Sequence, residues 1–135
     1  MSRSPNSDTL TEGIRVQAAA RYAASESQPD SGQYLFVYKI RITNEGTKTA
    51  QLRTRHWIIL DANNQRQDVR GNGVVGNTPK LAPGESFEYE SSCPLRTRWG
   101  TMEGSYAFTR DDGSKFDVAI GRFFLAPSTK PVSLR

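Results

Sequence analysis

Gly71, Gly73 and Gly76 stand at the G-x-G-x-x-G spacing, inside a loop-like stretch running from Val69 to Gly84. Where a strand feeds a helix, such glycines let amides at the helix N-terminus cradle a pyrophosphate. That chemistry needs the third glycine to open a helix. Here Gly76 is followed by Asn77, and Pro79 and Pro83 oppose a helix interior. A dinucleotide-binding turn is excluded. Two readings remain for Gly71, Asn72, Gly73, Val74, Val75 and Gly76. Either the glycines supply positive φ angles in an irregular loop between strands, or consecutive amides form an anion-binding nest without a helix, with Arg70 beside it. Val74 and Val75 either plug the rim of a core or stand out as a partner contact.

A second group is Arg53-Thr-Arg-His-Trp57. In a regular strand Arg53, Arg55 and Trp57 share one face, and Thr54, His56 and Ile58 the other. Two arginines beside a tryptophan suit an anionic ligand; the plainer reading is a buried Trp57 with arginine stems along the sheet. His56 is the only histidine, with no evident base or nucleophile partner, and is expected to make a structural hydrogen bond. Cys93, in Ser-Ser-Cys-Pro-Leu, matches no nucleophile motif and is expected to be a buried thiol. One Cys and one His cannot fill a tetrahedral metal site. Asp61-x-Asn63-x-Gln65 fails as a calcium loop, because Arg66 and Asn72 occupy the glycine and glutamate positions. Asp111 and Asp112 read as a turn. No catalytic apparatus is visible, so a non-enzyme without cofactor is expected.

These residues must be held by strands. Tyr34, Phe36, Tyr38, Ile40 and Ile42 alternate with polar or smaller neighbours, as do Ile14 to Tyr22 and Phe116 to Ile120. Leu52–Leu60, a short stretch near Gln65–Arg70, one through Phe87 and Tyr89 ending at Cys93-Pro94, and Met102–Arg110 complete a set of about seven. Gly104 reads as a bulge or a point of close approach. Whether the strands before and after Asn44-Glu-Gly-Thr47 pair as a hairpin or lie in opposite sheets stays open, as does the buried face of Leu52–Leu60. Turn signals every 8–12 residues and no convincing helix predict an all-β, antiparallel sandwich. Residues 1–12 read as a disordered N-terminal tail, 13–126 as the domain and 127–135 as a flexible C-terminal tail.

At 135 residues the chain can bury one core without disulfides. No apolar run approaches a membrane span, and the start lacks the apolar segment of a signal peptide. With a single cysteine, a cytoplasmic location is expected. The net charge of +4 is carried largely by arginines, but Arg15, Arg41, Arg53, Arg66, Arg96 and Arg122 are spread along the sequence. Scattered charge reads as a solvated surface, so neither nucleic acid nor a membrane is the expected partner.

Order and spacing across residues 13–125 resemble the ApaG (DUF525) family. The resemblance is carried by Tyr34-x-Phe36-x-Tyr38-x-Ile40-x-Ile42, Arg55-His-Trp57-x-Ile59 and Gly71-x-Gly73-Val-Val-Gly76, then by Pro79-x-Leu81-x-Pro83-Gly-Glu85-x-Phe87-x-Tyr89, Gly100-x-Met102-x-Gly104-x-Tyr106 and Asp112-Gly113. Asn72 and Asn77 depart from the pattern, standing where acidic residues are usual, and Gly121-Arg122 replaces a more apolar pair. The resemblance implies an immunoglobulin-like or fibronectin type III-like sandwich. It also implies a link to magnesium and cobalt resistance in bacterial members, and a protein–protein role for the relatives found as domains of F-box proteins and of a DNA-polymerase-delta-interacting protein. It implies no enzyme activity. The expected function is therefore a binding module with a protein partner, contacting it through Gly71–Gly76 and, less centrally, Arg55 and Trp57. The alternative is a small binder of pyrophosphate-containing nucleotides through the same loop and Arg70.

Overall fold

Alternating apolar side chains dictate the architecture in a computed structural model that describes residues 3–134. Among the described residues nine strands follow one another: β1 (Asn6–Thr11), β2 (Ile14–Tyr22), β3 (Tyr34–Asn44), β4 (Ala50–Asp61), β5 (Arg66–Asn72), β6 (Lys80–Leu81), β7 (Ser86–Leu95), β8 (Gly100–Arg110) and β9 (Lys115–Leu125). One antiparallel sheet has the order β1-β2-β3-β7 and the other β5-β4-β8-β9, with β6 added to the start of β4. Their facing sides bury Val16, Phe36, Ile40 and Ile42 from the first sheet against Leu52, Tyr106, Phe108, Val118 and Leu125 from the second. This is the expected all-β sandwich. Consecutive strands β3 and β4 lie in opposite sheets, which settles the question at Asn44. That residue is itself buried, and its side-chain amide donates to the carbonyls of Lys48 (2.8 Å) and Leu81 (2.9 Å) while its oxygen accepts from Gly46 N (2.9 Å). A buried amide so satisfied fixes the corner.

Three expectations are corrected. Residues 6–11 are strand β1, not tail, and form a hairpin with β2 through Glu12 (φ 46°) and Gly13 (φ 85°). The stretch Asn-Ser-Asp-Thr-Leu-Thr lacks an apolar face, so nothing local announces a strand. Its order comes from pairing with β2 and from Thr9 Oγ1 donating to the Ala119 carbonyl of β9 at 2.8 Å. Residues 127–134 form no strand, but the Asn6 side chain holds Val132 by both N–H and C=O, each at 2.8 Å. Met1, Ser2 and Arg135, also assigned to the tails, lie outside the described residues. Strand β7 continues through Cys93-Pro94 to Leu95, because an edge position tolerates a proline that donates no ladder hydrogen bond.

Two bulges aim the side chains. The β4–β8 register shifts between Leu52 and Thr54, so Leu52 and Trp57, of opposite parity, both point inward. The β8–β9 register shifts between Met102 and Gly104, which likewise lets Ile120 and Phe123 both face the core. Gly104 is thus at a bulge and also at a close approach. On one side of the sandwich β1 packs along β9; on the other, β5 and β7 stand apart as free edges.

Candidate functional site

The glycine loop is built from Arg55 outward. Gly71, on β5, lies directly opposite Arg55 on β4, and a Cβ there would come within 2.7–2.8 Å of the guanidinium atoms. The missing side chain is the space the guanidinium fills. From that position Arg55 Nη1 donates to the carbonyls of Asn72 and Gly73, both at 3.0 Å. Gly73 N donates to the Arg53 carbonyl at 2.8 Å, and Val74 and Asn77 exchange backbone hydrogen bonds of 2.8 and 2.9 Å. Between the last two, Val75 (φ 48°) and Gly76 (φ 79°) are both left-handed, as a type I′ turn requires. The loop is a closed two-residue hairpin tip latched by an arginine.

This geometry bears on each sequence reading. The amides of Gly73 and Val74 donate to the Arg53 and Asn77 carbonyls, and the nearest cation covers carbonyls, so an anion nest loses two of its donors and its cation. The two valines separate: Val74 is buried and packs into the core, whereas Val75 is 59% exposed. Arg70 is exposed on β5, in register with His56, while Arg55 faces between the sheets. Arg53 sits at the bulge and donates to Thr109 Oγ1 at 3.0 Å, so it does not join Arg55 and Trp57 on one face. Trp57 is buried, edge-on to Tyr38 at 5.3 Å between ring centres.

His56 Nε2 lies 2.7 Å from Asp68 Oδ2, and Arg66 donates to both Asp68 oxygens at 2.7 and 3.0 Å. These bonds, Arg66 first and His56 second, hold the Asp68 carboxyl far below the usual range. The His56–Asp68–Arg66 chain lies on the outer face of the β4–β5 pair. Asp61 Oδ1 accepts from Asn63 N and Gln65 N, and Asp112 Oδ1 accepts from Ser114 N, so both stretches are turns held by an aspartate. Among the described residues no group of three His, Cys, Asp or Glu side chains could hold a metal ion, and no helix is long and apolar enough to cross a membrane.

Cys93 is buried, and burial alone pushes its thiol up to about 12. At neutral pH it is a protonated, covered thiol. A disulfide reagent should therefore label the native protein on the order of 100-fold more slowly than the denatured chain. Comparable rates in the two states would contradict the burial.

Sequence reasoning missed three features. The hydroxyls of Tyr89 and Tyr106 hydrogen-bond to each other within the core, and burial raises both phenols out of the range in which they ionise. Alternation marks such tyrosines as core but does not show which hydroxyls meet. At the open side, a cleft of about 520 Å³ lies between the sheets, with Tyr34, Ile59, Pro94 and Leu95 on its walls and Arg66 and Arg96 among its polar groups. Finally, Trp99 stands 42% exposed against Phe124 at 5.5 Å.

Fold and site together define a small antiparallel sandwich whose glycine loop is shaped by an arginine latch rather than by a helix. The ApaG domain (DUF525) matches residues 24–110. The chain is 49% identical over 117 residues to Protein ApaG of Bdellovibrio bacteriovorus, covering 87% of this chain and 92% of that one. It is 48% identical over 128 residues to Protein ApaG of Anaeromyxobacter dehalogenans, covering 95% and 98%. A crystal structure of an ApaA protein from Bordetella pertussis is similar with a TM-score of 0.82 at 46% identity, covering 95% of this chain and all of that one. The chain belongs to the ApaG family.

Proposed function

We propose that this ApaG domain is a non-catalytic interaction module that contacts a protein partner through the tip of the Gly71–Gly76 loop. The observation that carries the reading is Val75. A β-branched residue at φ 48°, 59% exposed, is held outward by a turn that Arg55 fixes from beneath. Exposed apolar residues on rigidly supported loops are typical contact points, and strain at such a position points to a role beyond stability. Arg55 and Trp57 then shape the contact from below rather than touching the partner. A place in magnesium and cobalt homeostasis would be exerted through that partner. Nucleotide binding by the same loop is the weaker alternative, since the Gly73 and Val74 amides are engaged and Arg55 is spent on carbonyls.

The test compares partners retained from a lysate by the native chain and by Val75→Asp. Val75 touches no core, so the variant should keep the native melting temperature within a few degrees and lose at least about tenfold in retained partner. Val74→Asp is no substitute, because it places a charge in the core. Full retention of every partner by folded Val75→Asp would refute the reading.

A further inference from the structure

Folding undoes part of the scatter of arginines along the sequence. The β7–β8 connection, Arg96-Thr-Arg-Trp99, is pinned by one side chain: Thr97 Oγ1 donates to the Trp99 carbonyl at 2.8 Å and accepts from Ala62 N at 3.0 Å. The connection is therefore rigid, with Arg96, Arg98 and Trp99 all exposed. Trp99 lies against Phe124 of β9, the rings inclined by only 33°. The N-terminal segment joins them, because Phe124 N donates to the Ser4 carbonyl at 2.8 Å and the Arg3 guanidinium sits 5.9 Å from the Phe124 ring centre. Among the described residues, none of Arg3, Arg96 and Arg98 has a carboxylate within salt-bridge distance, whereas nearby Arg122 is held by Glu103 at 2.9 Å.

A large exposed ring on a second aromatic, with unneutralised Arg98 beside it in the chain and Arg3 over the second ring, matches what binds unpaired bases. Any base can stack on the indole face, and guanidinium groups pair with the adjoining phosphates. A structural role does not require Trp99 to be 42% exposed. An acidic peptide would satisfy the arginines but leaves the flat aromatic face without a matching group. We propose that Trp99, supported by Phe124 and flanked by Arg3 and Arg98, is a stacking platform for single-stranded nucleic acid. This surface is separate from the Gly71–Gly76 contact.

The test is fluorescence anisotropy with a labelled oligothymidylate of about 12 nucleotides, at about 50 and 200 mM salt. Saturable binding is expected, accompanied by quenching of tryptophan emission. Trp99→Ala should weaken it about tenfold, and Trp99→Phe, which keeps a stacking face, should recover most of the loss. Arg3→Gln with Arg98→Gln should lower the salt slope by about 1.4, at roughly 0.7 for each phosphate left without its arginine. Absence of saturable binding by the native chain would overturn the proposal. So would equal affinity in Trp99→Ala, or equally effective competition by polyglutamate, which would assign the arginines to an acidic protein. The Trp99→Phe arm separates a missing platform from a folding defect.

Discussion

Trp57→Ala is expected to destabilise the protein by about 4 kcal/mol, within the range for removing a buried tryptophan. Trp57 is 3% exposed and lies at the meeting point of both sheets. Its ring is edge-on to Tyr38 at 5.3 Å, to Phe123 at 6.0 Å and to Tyr106 at 6.4 Å. These neighbours come from three different strands, so none can collapse into the space without breaking its own packing. The loss combines transfer of the indole, a residual cavity and edge-to-face contacts of roughly 0.5–1.5 kcal/mol each. Against a net stability of about 5–15 kcal/mol, this removes a large share. Denaturant titration should show a lower midpoint at unchanged slope, and Trp57→Phe should recover part of the loss. A shift below about 1.5 kcal/mol would mean that Trp57 is not the keystone of this cluster.

The second large effect runs against ordinary propensity. Replacing a strand glycine by alanine normally stabilises by about 0.5–1 kcal/mol, because the unfolded chain loses freedom. At Gly104 the sign reverses. A Cβ there would stand 2.0 Å from the His56 carbonyl oxygen and 3.2 Å from the Trp57 Cα. Both obstacles are backbone of the neighbouring central strand, so no side-chain rotation relieves them. The β4–β8 pair would have to part at its middle, and Gly104→Ala should cost about 3 kcal/mol. Gly113 is a useful control, since a Cβ there meets nothing within 4 Å and only its φ of +87° opposes the change. Gly113→Ala should therefore cost only about 1–2 kcal/mol. Thermal melts of the two variants check the contrast; equal melting temperatures would show that the close approach at Gly104 is not real.

Features that rest on short-range patterns are legible without the fold. Period-2 alternation in Tyr34–Ile42 needs only neighbouring residues, and it marks a strand with one apolar face wherever that strand ends up. Pro79 and Pro83 exclude a helix after Gly76 by local geometry alone. The order of motifs from Tyr34 to Gly113 was enough to recognise the ApaG family. Tertiary structure alone decided what depends on pairing between distant residues. Asn6–Thr11 has no apolar face and becomes a strand only because β2 and β9 supply its partners. Strict alternation places Arg53 with Trp57, but a one-residue bulge reverses that parity, and bulges depend on the neighbouring strand. Gly71 fits either an irregular loop or an anion nest until Arg55, opposite on β4, is seen to fill the space its side chain would take. Arg3, Trp99 and Phe124 lie far apart in the chain, and only the ends of β8 and β9 bring them together. Local pattern dictates which face a strand buries, whereas the groups gathered at a site are set by long-range register, which no local window contains.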